Sequence, residues 1–107
     1  MDYSTWFNRG YALKQLKRYE DAVSSYDKAI EFNCNEDSAW FNRGYALNNL
    51  KRYGEAIVCF DKAIEFNYNK DSAWFNRGYA LKQLKRYKEA IASYNKAIEL
   101  NPDNNLA

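Results

Sequence analysis

Three asparagines, Asn8, Asn42 and Asn76, recur 34 residues apart, and each is followed three residues later by a tyrosine, Tyr11, Tyr45 or Tyr79. A primary amide is both donor and acceptor, so it can pair with the C=O and N–H of a peptide unit together. Tyrosine adds flat, rigid contact area that ends in a polar tip. A ladder of such pairs would grip a peptide backbone without reading its side chains. The alternative is that the asparagines fill a helix surface while the tyrosines pack on a neighbouring element. A second periodic set is basic: Lys17-Arg18, Lys51-Arg52 and Lys85-Arg86. Such a row could meet phosphates. Glu20, Asp21, Glu55 and Glu89 follow it closely, however, which favours a balanced, solvated edge.

Other chemistries lack their residues. Histidine is absent, which removes the usual general base and the commonest metal ligand. Cys34 and Cys59 fit neither a C-x-x-C redox motif nor a zinc site. They read as free thiols in a reducing compartment, hence a cytoplasmic chain. Cys59, in the run Ile57-Val58-Cys59-Phe60, reads as a small core hydrophobe. There is no nucleophile elbow, no phosphate-cradling glycine loop and no carboxylate pair in an apolar setting. The expectation is a chain that is not an enzyme and has no metal or cofactor. The net charge of +2 is too mild to argue for nucleic acid. No apolar run approaches the length of a membrane span, and Met1-Asp2-Tyr3 does not open a signal peptide.

The elements that must position these residues follow from the same period. WFNRGYAL starts at Trp6, Trp40 and Trp74; LKRY starts at Leu16, Leu50 and Leu84; KAIE starts at Lys28, Lys62 and Lys96. The 107 residues therefore form one domain, 1–107, of three repeats, 3–36, 37–70 and 71–104. Any two repeats agree at about two-thirds of their positions. Residues 105–107 read as the opening of a truncated fourth. Aromatic residues make up 18% of the chain, too many for disorder.

Within each repeat the apolar spacing is helical twice over. Trp6, Gly10, Leu13 and Leu16 share one face, and Tyr19, Ala22, Val23, Tyr26, Ala29 and Ile30 share another. The short join Lys17-Arg18-Tyr19 makes the two helices antiparallel neighbours. Asparagine and aspartate between repeats suit caps and turns, and Pro102 cannot continue the last helix. Glycine inside a helix costs about 1 kcal/mol against alanine. Gly10, Gly44 and Gly78 are therefore expected where paired helices cross closest, facing small residues such as Ala22 and Ala29. One hairpin cannot bury both its faces, whereas a stack of three can. The predicted fold is all-α, an α-solenoid of three antiparallel helix-turn-helix hairpins.

These residues resemble the tetratricopeptide repeat. Trp6, Gly10, Ala22, Tyr26 and Ala29 match its pattern in the first repeat. Trp40, Gly44, Ala56, Phe60 and Ala63 match it in the second, and Trp74, Gly78, Ala90, Tyr94, Ala97 and Pro102 in the third. The chain departs from it at Arg9, Arg43 and Arg77, where the family usually has leucine. It also departs at Leu13, Leu47 and Leu81, often tyrosine, and at Cys34 and Tyr68, often proline. An arginine is expected to lay its methylenes on the core and keep its head in water. The resemblance implies a right-handed superhelix, a non-catalytic interaction scaffold, and a concave groove for an extended or helical peptide. That groove would be lined by the remaining stripe of each first helix, beginning at Ser4, Ser38 and Ser72: Phe7, Asn8, Tyr11, Lys14 and Gln15; Phe41, Asn42, Tyr45, Asn48 and Asn49; Phe75, Asn76, Tyr79, Lys82 and Gln83. The family's chaperone-tail binders carry a two-carboxylate clamp there. The matching positions are Phe7, Tyr11, Asn42, Ser72 and Asn76, of which only Asn42 has the right type. With no cation to meet it, a terminal carboxylate is not the expected ligand.

A second kind of partner is another copy of the chain. The last helix should show water the side that earlier repeats bury, with Ile91, Tyr94 and Ile98 exposed. The flank of the first helix around Tyr3, Trp6 and Leu13 would receive it head to tail, giving rings or filaments.

Overall fold

In the computed structural model, which describes residues 1–102, six helices follow one another and no strand occurs among the described residues. They are α1 (Tyr3–Gln15), α2 (Tyr19–Phe32), α3 (Asp37–Asn49), α4 (Tyr53–Glu65), α5 (Asp71–Gln83) and α6 (Tyr87–Leu100). The pairs α1–α2, α3–α4 and α5–α6 are hairpins, and α2 packs on α3 as α4 packs on α5. The first helices also meet along the stack, α1 with α3 and α3 with α5. The result is an α-solenoid elongated to 41 × 24 × 24 Å. Residues 105–107, read as the start of a fourth repeat, lie outside the described residues.

Each hairpin turns by the same device. Lys17, Lys51 and Lys85 adopt φ 62° directly after the first helix. Their N–H groups reach back to Lys14, Asn48 and Lys82 carbonyls, while Arg18, Arg52 and Arg86 N–H groups reach Leu13, Leu47 and Leu81. This doubly bonded turn usually has glycine at the left-handed position; here a lysine holds it three times. The adjoining arginine then starts the second helix and pairs three residues on, Arg18 with Asp21, Arg52 with Glu55 and Arg86 with Glu89. Half of the basic edge is thus neutralised locally.

The helix glycines sit at close crossings, but their neighbours are not the expected alanines. A β-carbon at Gly10 would lie 2.8 Å from the Tyr26 ring, one at Gly44 2.8 Å from Phe60, and one at Gly78 3.0 Å from Tyr94. The missing side chain makes room for a large ring. Tyr26 and Phe60 are fully buried as a consequence, beside Leu47, Ala56, Cys59 and Ala63.

The arginines in the usual leucine position also differ from expectation. Their heads are not simply in water. Arg43 donates from Nη1 to the buried Cys59 sulfur at 3.0 Å and from Nε to Asp27 of the preceding repeat at 2.6 Å. Arg77 does the same to Ser93 at 2.6 Å and Asp61 at 2.7 Å. Arg9 bonds Ser25. The guanidinium therefore spans the seam between hairpins, a task no leucine can do.

Candidate functional site

The first helices present their stripe along one side of the stack. There Lys14, Gln15, Lys17, Tyr19, Phe41, Tyr45, Ser72 and Asn76 line a cavity of about 430 Å³. Next to it Tyr45, Asn48, Asn49, Lys51, Tyr53, Phe75, Asn76 and Tyr79 line another of about 330 Å³. The two share Tyr45 and Asn76, so they are successive stretches of one groove across all three repeats.

The repeated asparagines take three different environments. Asn8 is exposed, Asn76 is half-buried, and Asn42 is only 8% exposed. The Asn42 amide is engaged through both its nitrogen and its oxygen: it donates to the Ser38 carbonyl at 2.8 Å and accepts from the Lys14 ammonium. Asn76 donates to the Ser72 carbonyl at 2.8 Å, and its side-chain oxygen accepts no hydrogen bond among the described residues. Asn48 is buried and donates to the Asn76 carbonyl at 3.1 Å, tying the second and third repeats together. An evenly presented ladder is therefore not what the fold builds; of the three repeated asparagines, Asn76 is the one that lines the groove with an unengaged acceptor, and the buried Asn48 oxygen beside it also has no partner among the described residues.

The groove also holds a charge. Lys14 lies over the Tyr11 ring at 4.6 Å and the Tyr45 ring at 5.0 Å. Burial lowers its pKa below the ordinary lysine value, since desolvation works against the ammonium. Aromatic faces and the Asn42 oxygen offset that cost. Phe41 stacks on Tyr68 at 4.6 Å, so the tyrosine in the usual proline position supports a ring of the groove lining without lining either cavity itself.

Six of the residues expected in the groove line neither cavity: Phe7, Asn8, Tyr11, Asn42, Lys82 and Gln83. Phe7 packs against Tyr26 at 5.8 Å and stacks on Tyr3 and Tyr11, which forms an aromatic rim at the N-terminal end. Asn8 is open to solvent, as are Lys82 and Gln83, with Lys82 above the Tyr79 ring at 5.7 Å. Conversely, Lys17, Tyr19, Lys51 and Tyr53 enter the groove from the turns and from the starts of the second helices. The 34-residue recurrence of Tyr19, Tyr53 and Tyr87 was the signal that could have flagged the tyrosines.

At the ends of the stack two expectations need correction. Leu13 is buried in the core and is no part of an open flank. Tyr94 is half-buried against Gly78 and Phe75 because it fills its own hairpin. Ile91 and Ile98 are exposed, and Tyr3 and Trp6 are half-buried.

Comparisons with known proteins agree with this architecture. The family described as "Tetratricopeptide repeat" matches residues 3–33, 38–67 and 72–104. Among solved structures, the Arabidopsis OM64 TPR domain is 30% identical with a TM-score of 0.90, over 94% of this chain and 83% of that one. A MamA structure is 29% identical with a TM-score of 0.88, over 94% of this chain and 55% of that one. The first TPR of Spaghetti (RPAP3), bound to HSP90 peptide SRMEEVD, has a TM-score of 0.89 at 24% identity, over 94% of this chain and 80% of that one; it speaks to the fold alone. No curated protein matches.

Proposed function

The chain belongs to the tetratricopeptide repeat family, whose repeats are protein–protein interaction modules, and from that premise we propose that its groove binds a peptide segment of a partner protein, extended or helical. The observation that carries this reading is the continuous groove through Tyr45 and Asn76, floored by aromatic rings. Among its unengaged acceptors is the Asn76 amide oxygen, and it holds a partly desolvated ammonium at Lys14. An acceptor and a cation at fixed places, between apolar rings, suit a peptide's N–H and C=O groups and an apolar or acidic side chain. The scaffold itself is non-catalytic in this reading, and its free thiols, Cys34 and Cys59, support a reducing, cytoplasmic setting.

The test is a peptide selected from a random library, titrated calorimetrically against variants. Asn76→Ala should weaken it by about 1–2 kcal/mol, the cost of leaving a backbone group unpaired. Tyr45→Ala should also weaken it, through lost aromatic contact. Lys62→Ala, on a second helix away from the groove, should change nothing. Equal effects at all three positions would refute the groove as the binding surface.

A further inference from the structure

Two seams join the three hairpins, and both have the same construction. One side is a second helix carrying Val23 and Asp27, or Ile57 and Asp61, with Ile30 or Ile64 on the same face. The other side is a first helix carrying Ala39, Arg43 and Ala46, or Ala73, Arg77 and Ala80. All four alanines are fully buried. At the centre of each seam an arginine Nε donates to the aspartate across it.

The N-terminal face repeats the receiving half of that seam, with no helix packed on it among the described residues. Thr5, Arg9 and Ala12 occupy the positions of Ala39, Arg43 and Ala46. Ala12 is exposed where Ala46 and Ala80 are covered. Arg9 is steadied through Nη1 on Ser25, as Arg77 is on Ser93, but its Nε has no acceptor among the described residues. Around it Met1, Thr5, Trp6, Ser24 and Lys28 complete a cavity of about 450 Å³. No carboxylate lines that cavity; Lys28 pairs outside it with Glu31 at 3.6 Å, whereas Arg9 has no ion pair among the described residues.

We propose that this face is a docking seat for a helix of a partner protein that carries an aspartate, with a branched aliphatic residue four positions before it and another three after. The two internal seams supply the template, and the unpaired cation supplies the selection. A second copy of this chain is a poorer occupant. Its free helix, α6, keeps the aliphatics as Ile91 and Ile98, and Ile91 is 59% exposed where Val23 and Ile57 are 5% and 8%. Yet Asn95 stands where α2 and α4 have Asp27 and Asp61. An amide oxygen can accept from a guanidinium but does not neutralise it, and the charge-assisted bond is about twice as strong. Thr5 likewise puts a larger, polar side chain where the internal seams bury alanine. Both halves of a copy-to-copy seam thus depart from the internal ones at contact positions, while the aliphatic stripe is kept. The proposal is independent of the groove.

The experiment gives the chain the missing residue. In Asn95→Asp, α6 carries the full pattern, and a second copy becomes the proposed partner. Sedimentation velocity from micromolar to millimolar concentration should show Asn95→Asp associating about fivefold more tightly than the unsubstituted chain. The gain should shrink as salt rises. It should vanish in Arg9→Gln/Asn95→Asp, with circular dichroism confirming the helices. Should that double variant fail to fold, the salt series on Asn95→Asp alone decides. Equal association of Asn95→Asp and the unsubstituted chain would overturn the proposal, as would a gain that survives high salt or the loss of Arg9.

Discussion

Replacing Gly44 with alanine separates two effects of opposite sign. In a helix interior the exchange normally stabilises by about 1 kcal/mol through backbone propensity. Here the new methyl would stand 2.8 Å from Phe60 Cε1, 3.0 Å from its Cζ and 3.1 Å from Cys59 Cβ. Phe60 is fully buried and lies 5.8 Å from the Phe41 ring, so it has little room to yield. Overpacking of this kind costs about 1–3 kcal/mol. The net expectation is a loss of about 1 kcal/mol, a fall of about 4–8 °C in midpoint for a domain this size. The same exchange at Gly78 meets Tyr94 at 3.0 Å, but that ring is half-exposed and can shift, so the two effects should nearly cancel. Gly54 has nothing within 4 Å, and Gly54→Ala should stabilise. Urea and thermal unfolding of the three variants would give the order Gly54, Gly78, Gly44, from most to least stable. A Gly44→Ala protein as stable as Gly54→Ala would mean that the glycines do not serve the aromatic rings.

Lys51→Gly should raise stability by about 0.5–1 kcal/mol in a thermal melt, because glycine takes the left-handed conformation without the side-chain penalty; a lower melting temperature would show that the lysine side chain contributes more than its strain. The Tyr26 hydroxyl is buried with no partner among the described residues, and Phe60 holds the equivalent position without one; Tyr26→Phe should therefore be neutral or stabilising by up to about 1 kcal/mol, and a loss in urea unfolding would reveal a hidden partner. A disulfide reagent should modify exposed Cys34 quickly and Cys59 only on unfolding, since burial hides Cys59 and pushes its thiol pKa up against the pull of Arg43; two fast thiols would refute this. Burial also raises the pKa of Tyr26, and that of Tyr3 to about 12 with help from Glu36 and Asp37. The folded state thus holds these three protons more tightly than the unfolded chain. Their contribution is complete below the ordinary thiol and phenol values and is lost as pH rises through the raised ones. Lys14, with its lowered pKa, works in the other direction, so alkaline melts of Lys14→Gln should fall more steeply above pH 9 than those of the unsubstituted chain.

What could be read from the chain by period was the hairpins and their faces; that the remaining stripe of each first helix lines a groove was implied by the family resemblance alone. What could not be read is how identical segments diverge. The octapeptide WFNRGYAL occurs three times, yet its asparagine is exposed, buried and half-buried in turn. The difference comes from a residue 28 positions away: Lys14 reaches forward to Asn42, and Asn48 reaches forward to the Asn76 backbone. Asn8 has no preceding repeat among the described residues to reach it. Asn67, equivalent to Asn33 and Asn101, turns left-handed at φ 81° where they keep negative φ, because α4 ends one residue earlier and the Tyr68 N–H closes back on Ala63. Helical spacing likewise identified the face that holds Gly44, but not which residue of the partner helix points at it. The arginines show the same limit most clearly. As exceptions to a leucine pattern they looked tolerable. In the stack each internal one joins a buried atom of its own hairpin to a carboxylate of the previous one. A leucine would supply adhesion that any apolar neighbour could share, whereas a guanidinium selects which helix may lie beside it. Residues 27 and 61 supply that carboxylate at the two internal seams, whereas residue 95, at the same position of the last helix, is an asparagine.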